Sequence, residues 1–159
     1  MMCGTYHVAR MLKGVVLGTD NLSEYWMAFW TLHGDVGDFG MIQNIMKGLE
    51  LYDIARYLGV PQEIIDAKPD DGLGISGGDE DQLGAAYPTL DKTMISLIQQ
   101  GFDVDGGMGQ MDNLPRIDGV PDETARRLAE RALSGSYKRK GTKNLSREEL
   151  GLPDLKEIA

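Results

Sequence analysis

At 159 residues, 42% hydrophobic and 26% charged, the chain has material for one packed domain and is too apolar for wholesale disorder. A formal charge of −9 excludes a nonspecific cationic grip on nucleic acid or an anionic membrane, so any polyanionic ligand must be met by local groups. A single cysteine, Cys3, excludes an internal disulfide. With nine methionines, no signal-peptide pattern and no run near the ~18 apolar residues of a membrane span, the expectation is a cytoplasmic protein.

Residues 1–12 carry a helical pattern that opens on Met1-Met2-Cys3 with no capping residue ahead of it. Lys13-Gly14-Val15-Val16-Leu17 is β-branched and apolar and reads as a buried strand. Gly18-Thr19-Asp20-Asn21-Leu22-Ser23-Glu24 then supplies turn and N-cap chemistry for a helix with Leu22, Tyr25, Trp26 and Phe29 on its core face. Strand-to-helix corners of this kind are where open α/β sheets bind ligands and where free backbone N–H groups meet phosphate or carboxylate oxygens. Gly34 to Gly40, with three glycines and two carboxylates, reads as a loop.

A helix over 47–58 follows, with Leu51, Ile54, Ala55 and Leu58 at i, i+3, i+4 and i+7, closed by Gly59 and Pro61. Residues 67–84 are rich in Gly and Asp and long enough to suggest a functional loop. Leu90, Met94, Leu97 and Ile98 mark a helix ending at Gly101, and 103–119 is again Gly/Asp-rich with weak patterning. Pro121 is placed at N1 of a last helix with Ala125, Leu128, Ala129 and Ala132 on one side. Lys138, Arg139, Lys140, Lys143 and Arg147 make 134–159 a basic tail on a single domain spanning 1–159. Only one strand is legible, and a buried lone strand leaves its backbone donors and acceptors unpaired, so the chain reads as part of an α/β fold.

These residues resemble the C-terminal part of ammonia-dependent NAD synthase, an N-type ATP-pyrophosphatase of the adenine nucleotide alpha hydrolase-like class. The resemblance is carried by Gly18-Thr19-Asp20 with Glu24, Phe29-Trp30-Thr31-Leu32-His33-Gly34-Asp35, Asp38 and Lys47. It continues through Tyr57-Leu58-Gly59-Val60-Pro61, Lys68-Pro69, Asp79-Glu80-Asp81-Gln82-Leu83-Gly84, Tyr87 and Tyr137-Lys138-Arg139, in the family's order over about residues 1 to 140. It implies a helix-rich, partial Rossmann-like three-layer α/β fold with few parallel strands. The implied activity is a ligase that activates the nicotinate carboxylate of deamido-NAD with ATP as an acyl-adenylate, then forms the amide with ammonia. By the same resemblance Thr19, Lys47 and Asp70 fall at ATP-contact positions, Glu24 at a Mg²⁺ ligand, and Asp38, Tyr137 and Lys138 at deamido-NAD contacts. Asp79 to Gly84 would belong to a mobile loop closing over the site, and a homodimer is implied, with a glutaminase as a possible ammonia source.

Leu32 and His33 stand where the family has lysine and tyrosine, Asp70 where it has threonine or serine, and Tyr137 where it has histidine. The family's Ser-Gly-Gly-x-Asp-Ser phosphate loop would precede Met1, so the chain is expected to be truncated and inactive without a separate N-terminal half. Ser76-Gly77-Gly78-Asp79-Glu80-Asp81 is not read as a substitute, because no buried strand leads into it and no helix pattern follows. His33 reads as a loop residue rather than a general base, Trp26, Phe29 and Trp30 as packing, and Cys3 as unreactive for want of a partner. A non-catalytic nucleotide-binding remnant or dimerisation domain is the alternative reading. A GMP-synthase-like enzyme is a weaker one, since the Asp79 to Gly84 run points away from it.

Overall fold

Helix α1 (Met2–Leu12) ends where Lys13 turns into left-handed backbone, φ 54°, and the Gly14 N–H reaches back to the Ala9 carbonyl at 2.8 Å. The structure, a computed structural model, describes residues 2–159 except 35, 36, 71, 73, 75, 76, 142, 143, 155 and 157–159. Strand β1 (Leu17–Gly18) is shorter and later than the strand expected over 13–17. Val16 is buried while Val15 and Leu17 are exposed, so the segment covers one face rather than both, the period-2 signature of a half-buried strand.

Its partner, β2 (Phe39–Gly40), lies in the stretch read as a loop. The two pair in parallel, Leu17 opposite Phe39 and Gly18 opposite Gly40. A two-residue strand is too short for alternation to announce it. A Cβ on Gly37 would lie 2.4 Å from the Gly18 nitrogen, so the two segments meet only because that position has none.

Helix α2 (Leu22–Trp26) follows the corner, and a π-helical turn (Lys47–Leu51) leads into α3 (Tyr52–Tyr57) and then α4 (Gln62–Ile65). The apolar stripe of the 47–58 helix is not buried: no residue of α3 reaches the core, and Leu58 is 70% exposed. The periodicity is genuine, but burial needs a covering element, and among the described residues none lies over that face. Helix α5 (Asp79–Leu83) forms where a loop was expected. Its three acidic first-turn residues suit the positive end of a helix, and Gly84 ends it in left-handed backbone, φ 75°. Ser76 lies outside the described residues. A helical turn thus does follow Gly77-Gly78, against expectation, but its carboxylates make it no cradle for an anion.

Helices α6 (Tyr87–Gln99) and α7 (Asp122–Ser134) build the core, with a 3₁₀ segment (Met108–Asn113) between them. Leu90, Met94 and Leu97 of α6 and Leu128, Ala129 and Ala132 of α7 are fully buried, and Trp26, Met27, Phe102, Met111, Ile117 and Val120 close around them. Pro121 sits at the N-cap of α7, one place before the expected N1, and its carbonyl takes the Ala125 N–H. The result is helix-rich with a small parallel sheet, the partial Rossmann-like α/β arrangement the sequence implied. Among the described residues no helix is long and apolar enough to cross a membrane.

The basic segment begins as α8 (Ser136–Arg139), and the Arg139 side chain is wholly buried. Its guanidinium donates to the carbonyls of Tyr25, Trp26, Val104 and Ala132 and to Asp105 Oδ1 at 2.8 Å. Lysine cannot reproduce that planar fork. Arg139→Lys should therefore cost about 2 kcal/mol and lower Tm by about 4–8 °C in a thermal melt.

Candidate functional site

The strand-to-helix corner opens on a cleft of about 670 Å³ whose walls include Thr19, Glu24, Lys47, Lys68, Asp70 and Asp79. Asn21 caps α2 by accepting the Glu24 N–H at 3.1 Å, and Glu24 Oε2 returns the bond to the Asn21 N–H at 3.1 Å, a capping box. This fixes the Glu24 carboxylate with Oε1 turned to Lys47 Nζ, 3.3 Å away. Lys47 Nζ also stands 3.7 Å from Asp79 Oδ2 and 4.4 Å from the centre of the Tyr87 ring. The Tyr87 hydroxyl lies 3.4 Å from Glu24 Oε1 and 3.3 Å from Asp79 Oδ2. Burial first, and then the two carboxylates, push the Tyr87 phenol far above its ordinary value, so it stays a proton donor.

The backbone that carries Lys47 is held from beneath. Lys47 donates its backbone N–H to Ser23 Oγ at 2.9 Å, the Ser23 hydroxyl donates to Asp91 Oδ1 at 2.5 Å, and Gly48 N–H donates to Asp91 Oδ2 at 2.7 Å. Ser23 and Asp91 are both fully buried. A Cβ on Gly48 would meet the Tyr87 carbonyl carbon and the Pro88 nitrogen at 2.4 Å, so the π turn presses its backbone onto the start of α6. Single π turns inside helices mark functional sites in many folds.

Burial raises the Asp91 carboxyl above its ordinary value even though Ser23 and the Gly48 and Leu49 N–H groups pull it down. The folded chain therefore holds this proton more tightly than the unfolded chain. Stability from Asp91 is complete below about pH 4 and falls as pH rises through the window between the unfolded and folded values. Asp91→Asn lacks this titration. The Tm advantage of the wild type over Asp91→Asn should be greatest at the acid end and narrow as pH rises, as parallel melts across that range would read.

Asp79 reaches the cleft because α5 is clipped at its far end. Arg131 donates to the Gln82 carbonyl at 3.0 Å and Arg127 to the Gly84 carbonyl, cations on the negative end of the helix. At its near end the Asp79 N–H donates to the Pro69 carbonyl at 3.0 Å, tying the start of α5 to Pro69 in the cleft wall.

A second cavity of about 460 Å³ is lined by Tyr25, Trp30, Leu32, His33, Tyr137 and Lys138, and Asp20 lines both it and the cleft. Tyr25 and Trp30 stack with centroids 6.1 Å apart, and Lys138 Nζ donates to the carbonyls of Ala28 at 3.0 Å and Trp30 at 2.6 Å.

Residues 1–142 match the family model described as NAD synthase. The chain belongs to the NAD synthase family. It is 37% identical over 142 residues to the NH(3)-dependent NAD(+) synthetase of Methanopyrus kandleri, covering 87% of this chain and 49% of that protein. The enzyme of the same name from Methanocaldococcus jannaschii is 40% identical over 101 residues, covering 63% of this chain and 38% of that one. Among solved structures, an NMN synthetase from Francisella tularensis superposes with a TM-score of 0.70 at 26% identity, over 91% of this chain and 52% of that one. An NH3-dependent NAD synthetase from Campylobacter jejuni gives a TM-score of 0.64 at 20% identity over 91% and 51%, a likeness of fold. The chain spans about half the length of the curated relatives it matches.

Of the residues singled out by the NAD synthase resemblance, Thr19, Glu24, Lys47 and Asp70 line the one cleft, and Tyr137 and Lys138 line the adjoining cavity with the departures Leu32 and His33. Asp38 stands apart. Its carboxylate accepts the Val16 N–H at 3.0 Å and the Tyr6 hydroxyl at 3.2 Å beside the small sheet, and it lines neither cavity. Sequence reasoning missed Ser23 and Asp91. The available signal was a carboxylate on the apolar face of α6, one residue from Leu90 and three from Met94.

A Mg²⁺ site can be judged from the donor set. Among the described residues no group of three or more His, Cys, Asp or Glu side chains is placed to hold a metal, so there is no all-protein cage. Mg²⁺ bound to nucleotide phosphates keeps several waters and takes only one or two carboxylates, and Glu24 in the cleft wall fits that smaller demand.

Proposed function

We propose that this chain is the C-terminal part of an ammonia-dependent NAD synthase, active only together with an N-terminal half. That ligase amidates deamido-NAD at the expense of ATP, giving NAD, AMP and pyrophosphate, as a cytoplasmic homodimer. The observation that carries the reading is the convergence of Thr19, Glu24, Lys47 and Asp70, up to 51 positions apart in sequence, on one cleft at the strand-to-helix corner. In this reading Thr19 offers its hydroxyl to the nucleotide, Lys47 neutralises phosphate charge, and Glu24 holds Mg²⁺. The metal when bound supplies the remaining charge balance as pyrophosphate leaves. Tyr137 and Lys138, in the cavity that shares Asp20 with the cleft wall, would receive the nicotinate end of deamido-NAD, and Asp38 would act from the sheet side. Aromatic walls there would keep water from the activated carboxylate until ammonia attacks.

The cleft lining carries Asp20, Glu24, Asp70 and Asp79 against Lys47 and Lys68, an excess of carboxylate. Free ATP should be repelled, and the divalent ion has to arrive with it. Calorimetric titration should give binding at least about tenfold weaker in excess chelator than with Mg²⁺. Activity is tested by supplying the half of the Methanopyrus kandleri protein that lies outside the match, with ATP, Mg²⁺, deamido-NAD and ammonia. NAD should form, and its absence from the properly associated pair would overturn the ligase reading.

A further inference from the structure

The charged end of Lys47 is held from three sides, by Glu24 Oε1 at 3.3 Å, by Asp79 Oδ2 at 3.7 Å and by the face of the Tyr87 ring at 4.4 Å. The Tyr87 hydroxyl lies within 3.4 Å of both carboxylates at once, so ring and hydroxyl tie the same three groups together. Tyr87 is 1% exposed and Asp79 8%, and their elements are pinned elsewhere: α6 is core, and α5 is clipped by Arg131. We infer that Asp79 and Tyr87 are positioning residues that hold the Lys47 ammonium at a fixed point on the cleft wall for an incoming phosphate group. A lysine side chain free to rotate would lose much of its conformational freedom on binding, and the clamp imposes that loss in advance. The inference rests on the reading of the cleft as a nucleotide site.

Electrostatics alone makes the opposite forecast, which renders the inference testable. Removing a carboxylate from an acidic cleft should tighten binding of a phosphate, whereas removing a positioning carboxylate should weaken it. With MgATP as the probe, Asp79→Asn should bind about tenfold more weakly than the wild type, Tyr87→Phe about threefold, and Asp79→Glu should recover most of the loss. A second measurement reads the clamp without nucleotide. In ¹⁵N-lysine spectra the Lys47 ammonium, assigned by its absence in Lys47→Arg, should give a resolved signal in the wild type. It should broaden away in Asp79→Asn while Tm stays within a few degrees. Tighter MgATP binding by Asp79→Asn, or an undisturbed ammonium signal in it, overturns the positioning role. A wild-type Lys47 signal that ignores MgATP at millimolar concentration overturns the nucleotide reading beneath it, and the inference with it.

Discussion

Asp91→Ala should lower the stability of the chain by about 4 kcal/mol, seen as a fall in Tm of about 8–16 °C. The substitution does more than open a small void. It strips the acceptor from the fully buried Ser23 hydroxyl, where water is not at hand to replace it, and from the half-buried Gly48 N–H. Two donors left without their acceptor, at ~1–3 kcal/mol each, account for most of the effect. Ser23→Ala, which leaves Asp91 its bond from Gly48, should cost less than half as much. Because the same bonds seat the π turn that carries Lys47, Asp91→Ala should also impair the cleft at temperatures where the chain is still folded. Limited proteolysis across 47–52 would reveal a loosened turn, and unchanged cleavage there alongside an unchanged Tm would contradict the relay.

Lys47→Ala should lower stability by about 1–3 kcal/mol, since the ammonium and both carboxylates are largely buried and the carboxylates lose their counter-charge. On MgATP it should cause about a hundredfold loss of affinity, or about 2.7 kcal/mol. The loss has two sources acting together. The ammonium that meets phosphate disappears, and Glu24 and Asp79 are left uncompensated in a wall already rich in carboxylate. Lys47→Arg should recover only part of the affinity. A planar guanidinium retains the charge but cannot sit as a compact point between two carboxylates over the Tyr87 ring. Calorimetry on the two variants checks both statements.

The long amphipathic elements were legible because their period is intrinsic to the chain. Leu90, Met94 and Leu97, and Leu128, Ala129 and Ala132, fall on buried faces as expected. The corner at 18–24 was legible for the same kind of reason, since cap and turn chemistry is local. Leu58 and Ile54 misled because periodicity states only that a face is apolar, and whether anything covers it is a property of the assembled fold. Strand β2 was invisible because its existence depends on Gly37 lying against Gly18, a contact between segments that no window of sequence contains. The candidate site divides along the same line. Motif resemblance pointed to Thr19, Glu24 and Lys47, which share the cleft, whereas the clamp of Asp79 and Tyr87 on Lys47 and the relay through Ser23 and Asp91 rest on contacts between residues up to 68 positions apart. Asp38, which the resemblance attaches to deamido-NAD, has its carboxylate hydrogen-bonded at the sheet by Val16 and Tyr6, contacts that no window of sequence contains.

The most direct test is an amide shift map of the ¹⁵N-labelled chain during titration with MgATP. The largest changes should fall on 18–24, 47–52, 68–70 and 79, the walls of the cleft, and should vanish when Mg²⁺ is chelated. Changes gathered instead around Lys92, Ile95 and Val120, which line a separate cavity, or none at all at saturating MgATP, would contradict it.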